Sequence, residues 1–191
     1  MQFLKQALTL VVVVAAQGSG QSVSNWTIQV SALGVGLSGG AYAGVRPGGG
    51  AEAQLRWAWD NGWSLGGGAQ FSHHTMNTFQ GTIDLVGPFV EPRYVPDIGA
   101  GRYLPYLAAR LSLLRQQLRS GTVSGSASGG TANLGGGILV ELNRRMNLDL
   151  GMTAGYTEFG AFTLRDRNQS VSGPTGSGTS VVVRVGIGVA L

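Results

Sequence analysis

Acids and arginines fall on matching sides of this chain. Glu52, Arg56, Glu91, Arg93, Arg110, Glu141, Asp149 and Arg184 each lie on the polar side of a segment in which polar and apolar residues alternate. Four carboxylates meet four guanidinium groups, while the apolar side of the same segments is free of charge in its middle. A guanidinium and a carboxylate make strong, geometrically specific hydrogen bonds. Charges enclosed in a narrow interior must be paired in this way, because an isolated buried charge is very costly. The pattern therefore predicts an internal salt-bridge network. Ser72 and His74 share a face two residues apart. With an acid such as Asp84 from a neighbouring strand to orient the imidazole, they form a candidate nucleophile and base. The pair points to the same inward face as the arginines, however, and no catalytic residue is expected. His73 and His74 are the only histidines, and neighbours on a strand point to opposite faces. The chain has no cysteine. Neither a metal site nor a cofactor is expected. The glycines of "GVGLSG", 34–39, match a dinucleotide fingerprint in form. That motif needs a helix directly after it, and "AYAGVRPGGG" is not one. It reads as a strand end and loop.

The elements that must position these charges read as strands. In "AEAQLRWAWDNGWSLGGGAQF", 51–71, Ala51, Ala53, Leu55, Trp57 and Trp59 oppose Glu52, Gln54 and Arg56, and Asp60-Asn61-Gly62 asks for a tight turn. Similar alternation places strands at Trp26 onward, 82–95, 132–142, 148–157 and 181–191. The stretch 105–120 has leucines at 107, 111, 114 and 118 that fit a helical stripe, but Leu107, Ala109, Leu111 and Leu113 also alternate with Tyr106, Ala108, Arg110 and Ser112, and its context makes it a strand. Two places strain the pattern. Pro88 and Pro92 stand inside one strand, which predicts a bulge or an irregular stretch. After Ala32 the apolar residues shift to Leu33, Val35 and Leu37, which predicts either a bulge near Gly34 or a register error in this strand. The reading totals about eight strands of roughly ten residues, the length a tilted membrane strand requires. Connections at 61–62, 96–101 and 143–146 are short, and those at 38–50, 75–81, 116–131 and 158–180 are mostly longer and rich in Gly, Ser and Thr.

Composition and aromatic placement decide which face meets water. Charged residues are 12% of the chain, about half of the ~25% usual in soluble domains. Trp26, Trp57, Trp59 and Trp63 fall at one end of the strands, and Tyr94, Tyr103 and Tyr106 flank the second short turn. Together they predict an aromatic girdle at headgroup depth. The apolar face then meets lipid and the charged face lines the interior. A soluble barrel would have the faces reversed. Residues 1–20, with Lys5 ahead of an apolar run from Ala7 to Ala16, read as a signal peptide cleaved near 16–20, too short to span a bilayer. Residues 21–191 form the barrel. The sequence pI is about 10.0, but the arginines are dispersed and only Arg144 and Arg145 are adjacent, so nucleic acid is not expected as a partner.

The "WDNGW" hairpin, "FVEPRY", "PYLAARL", "NRRMNLDLG" and the final strand together resemble the eight-stranded bacterial outer-membrane β-barrel family, the OmpA-like, OmpX-like and opacity-protein group. The resemblance implies an all-β, eight-stranded antiparallel up-and-down transmembrane β-barrel, porin-like in architecture, in a Gram-negative cell envelope. It implies a monomer in contact with outer-membrane lipid and lipopolysaccharide, inserted by the barrel assembly machinery. Gly186, Val189 and terminal Leu191 match the family's C-terminal assembly signal, with Leu191 in place of the usual aromatic. The role expected is structural or surface-interacting. A small-solute or ion pore is one alternative, and a lipid-modifying barrel enzyme, like the lipid A deacylases, is another.

Overall fold

The structure, a computed structural model, describes residues 25–77, 81–98, 101–121, 123–161, 163–166, 169–172 and 175–191. The expected signal peptide lies outside these residues. Ten strands are present among these residues: β1 (Trp26–Ser38), β2 (Gly48–Ala58), β3 (Trp63–Thr75), β4 (Thr82–Tyr94), β5 (Tyr103–Ser120), β6 (Val123–Glu141), β7 (Met146–Phe159), β8 (Thr163–Asp166), β9 (Gln169–Ser172) and β10 (Gly176–Ala190). Eight of them close a barrel. Each of β1 to β6 pairs antiparallel with its successor, β7 pairs with β10, and β10 returns to β1. Closure leaves no barrel strand with an open edge. The stretch 105–120 is strand, and its alternation, not its leucine stripe, is what the fold uses.

Local chemistry makes the turns. In the β2–β3 turn Gly62 takes φ +82°, and the Trp63 amide donates to Asn61 Oδ1. Between β6 and β7 the amides of Arg145 and Met146 both donate to Asn143 Oδ1 at 2.9 Å. Asparagine supports turns through this side-chain-to-backbone bonding. These turns and the two chain ends of the barrel lie together at what we call the turn end. The opposite, loop end carries the connections 39–47, 76–81, 121–122 and 160–175.

Three expectations are corrected here. The bulge near Gly34 does not form. β1 keeps one continuous register against both β2 and β10. Leu33, Val35 and Leu37 stay on the inward face that Gln29 and Ser31 occupy lower down. It is the lining of the barrel that changes from polar to apolar, not the strand that shifts. Nor do the prolines break β4. Its pairing with β3 runs without interruption through Pro88 and Pro92. The ladder to β5 skips 87–88 and 91–92 and resumes in the same register. The cost of each missing N–H therefore falls on one neighbour only. Finally, 116–131 is not a long loop. β5 and β6 continue past the barrel to a tight turn at Gly121, φ +57°. Its Gly/Ser/Thr composition resembles a loop, yet small residues satisfy a two-residue alternation as well as large ones. Above the barrel rim β6 leaves β7 and pairs with β8, which pairs with β9, so a small sheet projects at the loop end.

The outer wall is apolar through its middle. On β5 the outward row reads Leu107, Ala109, Leu111, Leu113, and charge returns at Arg115. Leu113 and Leu134 are each 72% exposed, and Val181, Val183 and Val185 form a bare row on β10. A continuous apolar belt of this size has no place on a water-soluble monomer. At its turn-end edge Trp26 meets Trp57 edge-on with ring centroids 4.8 Å apart, and Trp63 packs on Tyr94 at 5.1 Å. Trp59 and Tyr103 complete the exposed aromatic rim. Tyr106 does not belong to this girdle. It is 3% exposed and points into the barrel, as its place in the same alternating row as Arg110 requires.

Candidate functional site

The interior has two layers. Seven of the eight charged residues read from the sequence meet in the turn-end half. Glu91 is the hub, buried with no exposed surface. Arg56 Nη2 donates to its Oε1 at 2.8 Å and Arg93 Nη2 to the same oxygen at 2.9 Å. Arg110 Nε and Arg184 Nη1 each donate to Oε2 at 2.8 Å. One carboxylate thus gathers four arginines from β2, β4, β5 and β10. Asp149, on β7, accepts from Arg93 Nη2 at 2.9 Å, from the Tyr106 hydroxyl at 2.6 Å and from Gln29 Nε2 at 2.7 Å. Glu52 accepts from Arg110 Nη1 at 2.5 Å and from Arg184 Nη1 at 3.3 Å. Two guanidiniums also lie over rings, Arg93 over Tyr106 at 3.9 Å and Arg110 over Phe89 at 4.0 Å.

The inward-facing glycines make room for these long side chains at two places in particular. A Cβ at Gly66 would lie 2.8 Å from Arg56 Nη2, and one at Gly151 would meet the Tyr106 hydroxyl and the Arg184 guanidinium. Glu141 is the exception among the eight. It has the inward parity of β6 but stands at the last residue of that strand, exposed at the turn-end rim, and makes no salt bridge among the described residues. Strand parity placed it correctly, but its depth along the barrel axis removes it from the network. Gln29 and Tyr106 are cluster members that the sequence reading did not assign. Both lie on the polar rows it had identified, which was the available signal.

The loop-end half of the interior holds an apolar cluster beside a few buried polar side chains such as His74 and Thr157. Leu33, Val35, Leu37, Ile83, Leu85, Leu114, Ala127 and Phe159 pack together beneath Tyr42, which a short 3-10 turn at Gly40–Tyr42 folds over the barrel mouth. The Tyr42 hydroxyl is buried without a hydrogen-bond partner among the described residues, and burial pushes its phenol pKa up to about 12. Between the two layers lies a cavity of about 20 Å³, space for about one water.

The Ser72 and His74 side chains do meet, at 3.1 Å between Oγ and Nε2. His74 Nδ1 lies 3.2 Å from the Arg46 carbonyl, which takes the orienting position expected of an acid. Asp84 is not that acid. It pairs with His73 at 2.6 Å on the outward face, because His73 and His74 point to opposite sides of β3. His74 is fully buried, and Ser72 lines the 20 Å³ cavity. At the C-terminus, Gly186 is buried and Val189 pairs with both Ile28 and Met146, so the segment read as an assembly signal is the strand that closes the barrel.

This arrangement, an apolar outer belt with an aromatic edge around a closed, charge-paired interior, is that of a transmembrane β-barrel. Known structures agree on the fold. Neisserial surface protein A superposes with a TM-score of 0.65 at 17% identity, over 90% of this chain and 100% of that one. Ail, the attachment invasion locus protein of Yersinia pestis, gives 0.55 at 11% identity, over 88% of this chain and 99% of that one. The outer membrane protein OprG from Pseudomonas aeruginosa gives 0.52 at 12%, over 88% and 97%. No protein-family model matches this chain, and no curated protein sequence does. At these identities the likeness is one of fold.

Proposed function

We propose that this chain is an integral outer-membrane protein with a sealed interior and a structural or surface-interaction role. The observation that carries the reading is the double closure of the barrel, a four-arginine cluster below and an apolar plug above, with a cavity of about 20 Å³ between them. What remains available to other molecules is the outside. The apolar belt meets outer-membrane lipid and, at its loop-end edge, lipopolysaccharide. The projecting β5–β6 hairpin with β8 and β9 is the surface a partner would meet. The chain acts as a monomer, exported by its N-terminal signal and inserted by the barrel assembly machinery through Gly186, Val189 and Leu191. Ser72 and His74 support this non-catalytic reading by their position, since the cavity beside Ser72 admits about one water and no acyl chain.

Conductance in a planar bilayer tests the reading. The folded protein is expected to give no steady open channel. Stable openings whose conductance rises in Arg110→Ala would replace the sealed barrel with a small-solute or ion pore.

A further inference from the structure

The interior cluster does not balance its own charge. Among the described residues it holds four guanidinium groups, Arg56, Arg93, Arg110 and Arg184, against the carboxylates of Glu52, Glu91 and Asp149. One positive charge is left over. The surplus lies towards the turn end. Glu52 serves Arg110 and Arg184, and Asp149 serves Arg93 and Arg184. Arg56 meets one carboxylate oxygen among the described residues, Glu91 Oε1, and shares it with Arg93.

A vestibule of about 260 Å³ opens beside these two arginines. Arg56 and Arg93 line it with Gln29, Ser64 and Asn147, and the turn residues Trp59 and Gly62 stand at its edge. The Arg56 and Arg93 side chains are 8% and 1% exposed, and the Nε–H of each is buried without an acceptor among the described residues, as are one N–H of Arg110 and one of Arg184 deeper in the cluster. A buried donor on a charged group that lacks a partner is expensive, and its cost falls when an acceptor of opposite charge is supplied. We propose that the inner end of this vestibule binds a small inorganic anion, held by Arg56 and Arg93, which completes the charge of the interior cluster. The single surplus charge selects a monovalent anion.

Gln54 provides a way to test charge balance without dismantling the cluster. Its Oε1 accepts from Arg56 Nη2 at 2.9 Å, while its own Nε2 is buried without a partner. Gln54→Glu is nearly isosteric, removes that orphan donor and supplies a fourth carboxylate to the same arginine. The full chain is folded in detergent micelles in sodium gluconate, whose anion is far bulkier and more hydrated than chloride. Chloride then replaces gluconate at constant ionic strength, and unfolding is followed by tryptophan fluorescence. In the wild type, chloride is expected to raise the unfolding midpoint saturably, by about 3 °C or more. Gln54→Glu is expected to be as stable in gluconate as the wild type in saturating chloride, and to ignore chloride. Arg56→Gln is expected to lose the chloride response as well, which keeps the test decisive if Gln54→Glu folds poorly. Chloride-35 NMR lines are expected to broaden with the wild type and not with either variant. Equal midpoints in chloride and gluconate, or a chloride shift that survives in both variants, would overturn the proposal.

Discussion

The two halves of the barrel interior are sealed by opposite means. Towards the turn end, Glu91 gathers four arginines through directional, charge-assisted hydrogen bonds. Towards the loop end, Leu33, Leu85, Leu114 and Phe159 close the same bore by apolar packing under Tyr42. The difference matters because of where the barrel sits. Lipid tails are as apolar as the belt, so the outer wall gains little from being covered and does little to select one register. Uniqueness has to come from inside. A shared-carboxylate network tolerates few alternatives, since any slipped strand leaves a buried charge unpaired. Apolar packing is more forgiving of shape but excludes water, which suits the mouth of the barrel.

The contrast can be broken most severely at the hub. Glu91→Gln removes the negative charge that four arginines share, and unfolding in micelles, read by heat-dependent gel mobility, is expected to become easier by about 4 kcal/mol. Much of that loss should return when Arg56→Gln is added, because the pair of changes restores the original charge difference. A failure of the double variant to recover would mean that geometry, not charge, makes Glu91 the hub. In the other layer, Leu114→Ala is expected to cost about 3 kcal/mol through the cavity it leaves. Its cost should be independent of whether chloride or gluconate is present, whereas a plug coupled to the lower cluster would show the same anion dependence. The smallest effect is expected at Glu141→Gln. This acid shares strand parity with the network but stands at the exposed rim, and the change should stay within about 0.5 kcal/mol. A cost comparable to that of Glu91→Gln would place Glu141 back in the network.

Much of this was legible in the alternation. A strand shows its two faces at a fixed period of two, so the polar rows of 52–56, 91–93 and 106–112 identified the inward residues before any neighbour was known. Tyr106 shows the limit of reasoning by residue type: its aromatic ring suggested the girdle, but its row placed it among the arginines. The Gly/Ser stretch at 121–131 shows another limit, because composition that fits a loop equally fits the thin end of a long hairpin. Leu33, Val35 and Leu37 looked like a register error because a uniformly polar lining was assumed.

From the sequence alone came the strands, their wet and greasy faces, the barrel they close and seven members of its charge cluster, since period and residue type are local properties of the chain. Depth along the barrel axis was decided only by the tertiary structure. It depends on the stagger between paired strands, which sums over all eight before two distant side chains meet. That stagger brings Glu91 to four arginines and leaves Glu141 at the rim. It also divides the bore into a charged seal and an apolar one, and leaves the vestibule beside Arg56 and Arg93 with more positive charge than its own carboxylates answer.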